Sequence, residues 1–157
     1  MSTVPRVVVD TNILVAYALL AERAARRDET VRRCMEVVLD GCELLASDAT
    51  LAELRAVLLR SDFDRYKPAA ERESFLVMIG ARARTVVPAD IGRLCRDPED
   101  DMFLAVALAA DADWLITVDR QLLSVREVGR ARIVRPPRFL AAVVGPADPP
   151  PANRQSN

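Results

Sequence analysis

The chain contains no histidine among its 157 residues, and this absence excludes several kinds of active site. A Ser-His-Asp or Cys-His catalytic group cannot be assembled from it, and neither can a zinc site that depends on imidazole. Any hydrolytic chemistry must therefore depend on carboxylates, a thiol, a bound metal or Lys67, which is the only lysine.

Other features are scarce as well. Aromatic residues make up only 4% of the chain, so extensive stacking on nucleic-acid bases is not expected, and the net charge of −1 does not indicate a nucleic-acid partner. No apolar run approaches the roughly 18 residues needed to span a bilayer, and the first residues do not resemble a secretory leader. The three cysteines, Cys34, Cys42 and Cys95, include no C-x-x-C pair, which favours free thiols. These observations predict a cytoplasmic protein.

The segments with apolar patterns alternate between strand-like and helical. A chain of this length is expected to form one domain, here over 1–144, and the Pro-rich segment 145–157 is expected to be a disordered tail. Alternating strands and helices predict an α/β fold with a mostly parallel sheet covered on both faces. The predicted strands are 6–9, 42–47, 84–88, 113–119 and 131–136. The predicted helices are 13–25, 29–41, 48–60, 68–83, 101–112 and 136–144.

Acidic residues occur at positions that this fold brings to one edge of the sheet. In open α/β sheets, functional sites lie beyond the carboxyl ends of strands, near the point where strand order reverses. Asp10 ends the first predicted strand and Asp119 follows the fourth, although either could be an ordinary cap or turn residue. Glu53 would belong to a capping box if its helix began at Thr50, and could face the strand ends if the helix began near Ser47.

Four carboxylates also crowd the segment "RDPEDD" at 96–101. Asp97 before Pro98 is a natural N-cap, and the helix dipole stabilises one or two nearby acids by about 0.3–1 kcal/mol each. Asp100 or Asp101, inside the first turn, is therefore the better candidate for a functional site. Acids gathered from several elements repel one another, and oxygen ligands of this kind select hard cations such as Mg²⁺ or Mn²⁺.

The order and spacing of four segments resemble the PIN-domain family of metal-dependent ribonucleases, in particular the VapC-like toxins of toxin-antitoxin pairs. These segments are "VVVDTNILVAYAL", "ASDATLAEL", "CRDPEDDMFLAVALAADADWLITVDRQLL" and "RIVRPPRFL". The resemblance implies a PIN-like three-layer α/β/α fold around a roughly five-stranded sheet. It also implies an RNA substrate, a cognate antitoxin protein and a homodimer.

The same resemblance implies roles for individual residues. The catalytic acids would be Asp10, Glu53, Asp100 and Asp119, and Asp101 is close enough to Asp100 to be an alternative metal ligand. A Mg²⁺ or Mn²⁺ ion would activate water against an RNA phosphodiester, and a second ion could assist when substrate is present. The supporting polar residues would be Asn12, Ser47 and Thr117. Apart from the resemblance, Arg55, Arg96 and Arg120 flank these segments and are candidates for RNA binding, with ordinary solvated surface charges as the alternative.

Other functions remain alternatives. A receiver-like signalling domain also gathers acids and Mg²⁺, but it needs a phospho-accepting Asp after a middle strand, where this chain has Val87, and Lys67 is misplaced for its conserved basic role. An aspartyl phosphatase usually has a second Asp two positions after the first, where this chain has Asn12. A protein-interaction domain with an inert acidic pocket stays open as well.

Overall fold

The computed structural model describes residues 3–20, 26–92 and 97–145, and these ranges contain six strands and seven α-helices. The strands are β1 (Arg6–Val9), β2 (Glu43–Ala46), β3 (Arg84–Thr85), β4 (Trp114–Ile116), β5 (Glu127–Val128) and β6 (Ala131–Val134). The helices are α1 (Thr11–Ala18), α2 (Arg26–Gly41), α3 (Asp48–Leu58), α4 (Ala69–Arg82), α5 (Pro98–Ala109), α6 (Arg120–Val125) and α7 (Pro136–Val143).

The six strands form one sheet in the order β3-β2-β1-β4-β6-β5. Neighbouring strands are parallel except for the β5–β6 pair, which is antiparallel. From β1 the chain builds outward to β2 and β3 and then returns to place β4 on the other side of β1. The carboxyl ends of β1 and β4 therefore lie at the reversal of strand order, where open α/β sheets bind ligands.

Side chains alternate across the sheet and fill a core on each face. Val7 and Ile116 pack with buried residues of α1, α2, α3, α4 and α7 on one face. Val8 and Leu115, their neighbours along β1 and β4, pack with α5 and α6 on the other. Both faces of the central strands are covered, which explains why β1 reads as a continuous valine run and confirms the predicted α/β class.

Each predicted strand is present, but only β1 has the predicted bounds, because the other four predictions ran past the observed ends, and β5 was missed. β3 ends at Thr85, whereas the prediction extended to Pro88, because Val87 is 88% exposed and Pro88 has no N–H to donate to a neighbouring strand. β5 has only two residues and pairs through a tight turn at Gly129. The sheet therefore has six strands rather than about five.

The helix predictions differ mainly at their ends. α5 begins at Pro98, as the predicted Asp97 cap requires, three residues before the apolar pattern that starts at residue 101. α1 ends at Ala18, and the rest of the predicted helix at 21–25 lies outside the described residues. The short helix α6 was not predicted, because six residues carry too little periodicity to be recognised.

A buried arginine holds the connection between α3 and α4. Arg72 is fully buried, and its guanidinium donates to the carbonyl oxygens of Lys67 at 3.0 Å, Leu58 at 2.8 Å and Arg60 at 3.1 Å. It also pairs with the carboxylate of Asp64. The hydrogen bond to Leu58 satisfies a buried carbonyl group, and the other two hold partly buried carbonyls of the connecting segment.

The remaining sequence predictions have mixed outcomes. Cys34 and Cys42 are free, as expected, and burial raises the pKa of the Cys34 thiol to about 12, which keeps it protonated. Cys95 and the predicted tail from 146 onward lie outside the described residues. Within the described ranges, no helix is long and apolar enough to cross a membrane.

Candidate functional site

Asp10 lies at the carboxyl end of β1 and is only 5% exposed. It occupies the N-cap position of α1, but its side chain makes no capping hydrogen bond there. Instead, Oδ2 accepts a hydrogen bond of 2.7 Å from the hydroxyl of Thr117, and the backbone N–H of Asp10 donates to the carbonyl of Ile116 at 3.0 Å. The carboxylate is therefore directed toward the end of β4 and does not serve its own helix.

Thr117 links the two acids at the reversal of strand order. It is fully buried just after β4, and its Oγ1 donates to Asp10 while accepting the backbone N–H of Asp119 at 2.9 Å. Asp119 in turn caps α6, with Oδ1 accepting from the N–H groups of Gln121 at 2.7 Å and Leu122 at 3.2 Å. One threonine hydroxyl thus contacts both acidic residues.

Glu53 reaches the same edge from α3. This helix starts at Asp48, and the capping box joins Ser47 and Thr50, so Glu53 takes no part in it. The Glu53 carboxylate accepts a hydrogen bond of 2.6 Å from the hydroxyl of Thr11, the residue after Asp10. The second reading of Glu53, in which it faces the strand ends, agrees with this contact.

The acids at the start of α5 divide into different environments. Asp97 caps the helix by accepting from the N–H of Glu99 at 3.0 Å, with Pro98 in the first turn, as predicted. Asp100 is half-buried, and Asp101 is 8% exposed and turned into the protein. Of the four acids, Asp97 therefore caps the helix, Glu99 is exposed, and Asp100 and Asp101 have restricted access to solvent.

Electrostatics show which acids lie near one another. Burial raises the pKa of Asp100 to about 6, with further contributions from the charges of Asp119, Asp97, Asp10 and Glu53. A position in the first turn of a helix would by itself favour the charged form, so burial and the nearby negative charges together outweigh the helix dipole here.

The pKa of Asp10 is also raised, first by burial and then by the charges of Asp119 and Glu53, although hydrogen bonds from Thr117 and the Thr11 backbone oppose this shift. Acids from four separate elements therefore act on one another.

The donor chemistry of these acids fits a hard divalent cation, because every available ligand is a carboxylate oxygen and their mutual repulsion favours added positive charge. The positions of the side chains fit a bound cation less well than their chemistry does. Within 3–20, 26–92 and 97–145, no group of three or more Asp, Glu, Cys or His residues is arranged to hold a metal ion. The acids are close enough to interact, and a bound cation would have to draw them together.

The other predicted site residues have diverse surroundings. Asn12 and Arg120 are exposed, and the hydroxyl of Ser47 caps α3. Arg55 forms a two-pronged ion pair with Glu73 of α4, at 3.1 and 2.8 Å. Arg96 lies outside the described residues.

Lys67 is directed away from the acids. Its Nζ donates to the carbonyl of Ala18 at 2.9 Å, at the end of α1 remote from Asp10. The receiver-like alternative needs a lysine beside the acids, so this contact weighs against it.

Sequence reasoning missed the role of Thr11. Its position beside Asp10 in "DTN" suggested a local turn, whereas its hydroxyl partner, Glu53, is 42 residues away. No local pattern reveals such a contact. The only signal in the sequence was that a threonine follows a buried strand at Thr11, as another does at Thr117.

Comparison with known proteins agrees with this arrangement. A family model described as a PIN domain matches residues 6–121, a range that contains all of the acids described above. A search of curated proteins gave no match.

Proposed function

The chain belongs to the PIN-domain family, whose members are generally metal-dependent nucleases, and from this premise we propose that it is an endoribonuclease that hydrolyses RNA phosphodiesters with Mg²⁺ or Mn²⁺. We further propose that it is the toxin of a toxin-antitoxin pair.

The observation that carries the proposal is that acids from four elements meet at one edge of the sheet, where Thr117 contacts Asp10 and the Asp119 backbone and Thr11 contacts Glu53. Burial and the charges of these acids raise the pKa of Asp100 to about 6. Perturbed carboxylates gathered in this way are typical of functional sites.

Different residues of the chain would hold the cation and orient its ligands. Asp10, Asp100 and Asp119 would hold the cation, with Asp101 as the alternative to Asp100. Thr117 keeps Asp10 and the Asp119 backbone in register, and the Asp119 oxygen that does not cap α6 would face the cation. When bound, such a cation acidifies water and offsets negative charge on the phosphate.

Glu53 would act beside these ligands. Thr11 donates to one of its carboxylate oxygens and so fixes its orientation. From that position Glu53 could add an oxygen ligand or accept a proton from the attacking water, as a general base does.

The test is RNA cleavage by purified protein in Mg²⁺ or Mn²⁺. We expect metal-dependent cleavage of single-stranded RNA by the natural protein, and loss of cleavage in EDTA and in the Asp10→Asn and Asp119→Asn variants. Asp40→Asn, an exposed acid near the end of α2, serves as the control and should cleave normally. Equal cleavage by all samples would reject the assignment, because a contaminating nuclease would then explain the activity.

The toxin role needs a separate experiment in cells. Expression without the neighbouring gene should arrest growth, and co-expression of that gene should restore it if it encodes the antitoxin. Size-exclusion chromatography with light scattering should show a homodimer. Unaffected growth would reject the toxin role and leave the nuclease proposal in place.

A further inference from the structure

An open groove of about 880 Å³ lies between the end of α6, the strands β5 and β6, and the start of α7. Its lining includes four arginines, and we call it the arginine groove. The four are Arg126, Arg132, Arg135 and Arg138.

The arginine groove carries an excess of positive charge. Its lining contains four arginines and one acid, Glu127, so its formal charge is +4 − 1 = +3. All four arginines are exposed. Within the described part of the chain none of them forms an ion pair, whereas the neighbouring Arg130 pairs with Asp113 at 2.9 Å. Unpaired guanidinium groups on one surface attract a polyanion.

One end of the groove, at Arg135, lies at the carboxyl edge of the sheet where the acids are, and the groove extends from there toward Arg132 at the start of β6. Leu123 in its lining is four residues after Asp119, or about one turn along α6. On the other side, the carbonyl of Val134 accepts the N–H of Thr117 at 3.0 Å, and Arg135 follows Val134 directly. A chain-like ligand could therefore run from the acids into the groove without crossing another element of the fold.

The lining also indicates which chemical groups the groove would recognise. No aromatic side chain lines it within the described residues, so base stacking is not available. Pro136 and Pro137 open α7 and have no N–H, so the positive charge comes from side chains. Arginine binds phosphate with two parallel hydrogen bonds and keeps its charge at any physiological pH.

We propose that the arginine groove binds the phosphodiester backbone of the single-stranded RNA whose scissile phosphate lies at the acids. This inference rests on the proposed function. The groove would supply the attraction that the acidic site lacks, and it would bind RNA with little regard to base sequence, because phosphates carry no sequence information.

Binding can be measured apart from cleavage. A fluorescently labelled single-stranded RNA is titrated in EDTA with the natural protein, with Arg135→Gln/Arg138→Gln, and with the control Arg82→Gln. Arg82 is an exposed arginine at the end of α4, just before β3. Because β3 and β5 are the two outermost strands of the sheet, Arg82 lies on the side away from the groove. Thermal unfolding of each variant checks that it is folded.

We expect the double variant to bind RNA about tenfold more weakly at 0.1 M salt, and the slope of log affinity against log salt to decrease by about 1.4, or 0.7 for each lost phosphate contact. Arg82→Gln should match the natural protein. In the cleavage assay the double variant should raise KM while kcat changes little, because the lost contacts lie away from the scissile bond.

The outcomes separate this proposal from the nuclease proposal. Unchanged RNA affinity and salt slope in the double variant would overturn the groove assignment, even if cleavage is confirmed. Tighter binding of a poly-glutamate peptide than of RNA would also overturn it, in favour of an acidic protein partner. Weakened RNA binding in the double variant would support the groove even if no cleavage is found.

Discussion

At the scale of single residues, two threonine hydroxyls orient Asp10 and Glu53, and backbone N–H groups at the start of α6 orient the side chain of Asp119. Thr117 donates to Asp10 and accepts from the Asp119 backbone, and Thr11 donates to Glu53. All three acids are thus oriented by neighbours that carry no charge. This arrangement resembles the way outer-shell hydrogen bonds orient ligands in metal sites.

Thr117→Val should impair activity more than it impairs folding. The substitution keeps the shape but leaves the buried Oδ2 of Asp10 without its donor, at a cost of about 1–3 kcal/mol in the free energy of unfolding. Because the Thr117 hydrogen bond lowers the pKa of Asp10, its loss should raise that pKa further. In a plot of kcat against pH, the fall in activity on the acid side should therefore move to higher pH.

Thr117→Ser is the matched control, since it keeps the hydroxyl and removes only a methyl group. It should restore both the position of the acid limb and most of the activity. An acid limb at the same pH in the Val variant and in the natural protein would contradict the positioning role. Urea unfolding measures the stability difference independently.

Asp100→Asn should stabilise the metal-free protein at neutral pH. The folded-state pKa is raised from 3.8 to about 6, so the contribution of this group to stability is present below about pH 4 and is lost as the pH rises through about 6. The asparagine side chain is uncharged at every pH in this range, so the variant does not lose this stability. Its free energy of unfolding relative to the natural protein should therefore rise between these pH values and then level off.

Urea unfolding in EDTA from pH 4 to 7.5 tests this expectation. Glu71→Gln is the control, because Glu71 is an exposed acid in the first turn of α4, the position that Asp100 holds in α5. It should show no gain in stability with rising pH. A constant difference between Asp100→Asn and the natural protein across the range would show that the Asp100 carboxyl is not crowded.

At the scale of secondary-structure elements, the sequence predicted most of the strands and helices because their patterns are strong. The valine run of β1 lies buried on both faces, and Asp97-Pro98 starts α5 as its chemistry indicates. The failures are short elements. α6 and β5 owe their structure to the Asp119 cap and to pairing with β6, and a local pattern reveals neither.

The same limit applies to the candidate site. Asp10, Glu53 and Asp119 could be placed at one edge by topology alone, because each follows a predicted parallel strand. The hydrogen bond from Thr11 to Glu53 could not be predicted, since it joins elements 42 residues apart. The arginine groove was missed for a similar reason, because its four arginines spread over α6, β6 and α7 and look like ordinary surface charges.

Arg72→Ala should destabilise the connection between α3 and α4. It leaves the buried carbonyl of Leu58 and the partly buried carbonyls of Arg60 and Lys67 without this donor, and the expected loss is about 2–4 kcal/mol in the free energy of unfolding. The ion pair with Asp64 adds little, because Asp64 is 63% exposed and water screens it.

Arg82→Ala, on the same helix and exposed, should change stability by no more than about 0.5 kcal/mol. Equal losses in the two variants would contradict the role of Arg72.

At the scale of the whole molecule, the net charge of −1 conceals an uneven distribution. Acids gather where β1 and β4 end, and arginines line the groove along the neighbouring β6. A cation at the acids and a phosphate chain in the groove would each relieve a local excess of one sign. This arrangement suits a nuclease, because the scissile phosphate needs both a cation and an anchored backbone.

The central claim is that acids from β1, α5 and the end of β4 together hold a divalent cation. Calorimetric titration of Mn²⁺ into the metal-free protein tests it most directly, with the Asp10→Asn/Asp119→Asn double variant and Glu71→Gln alongside. We predict saturable binding by the natural protein and by Glu71→Gln, and loss of binding in the double variant. Absence of binding by the natural protein, or unchanged binding by the double variant, would contradict the account.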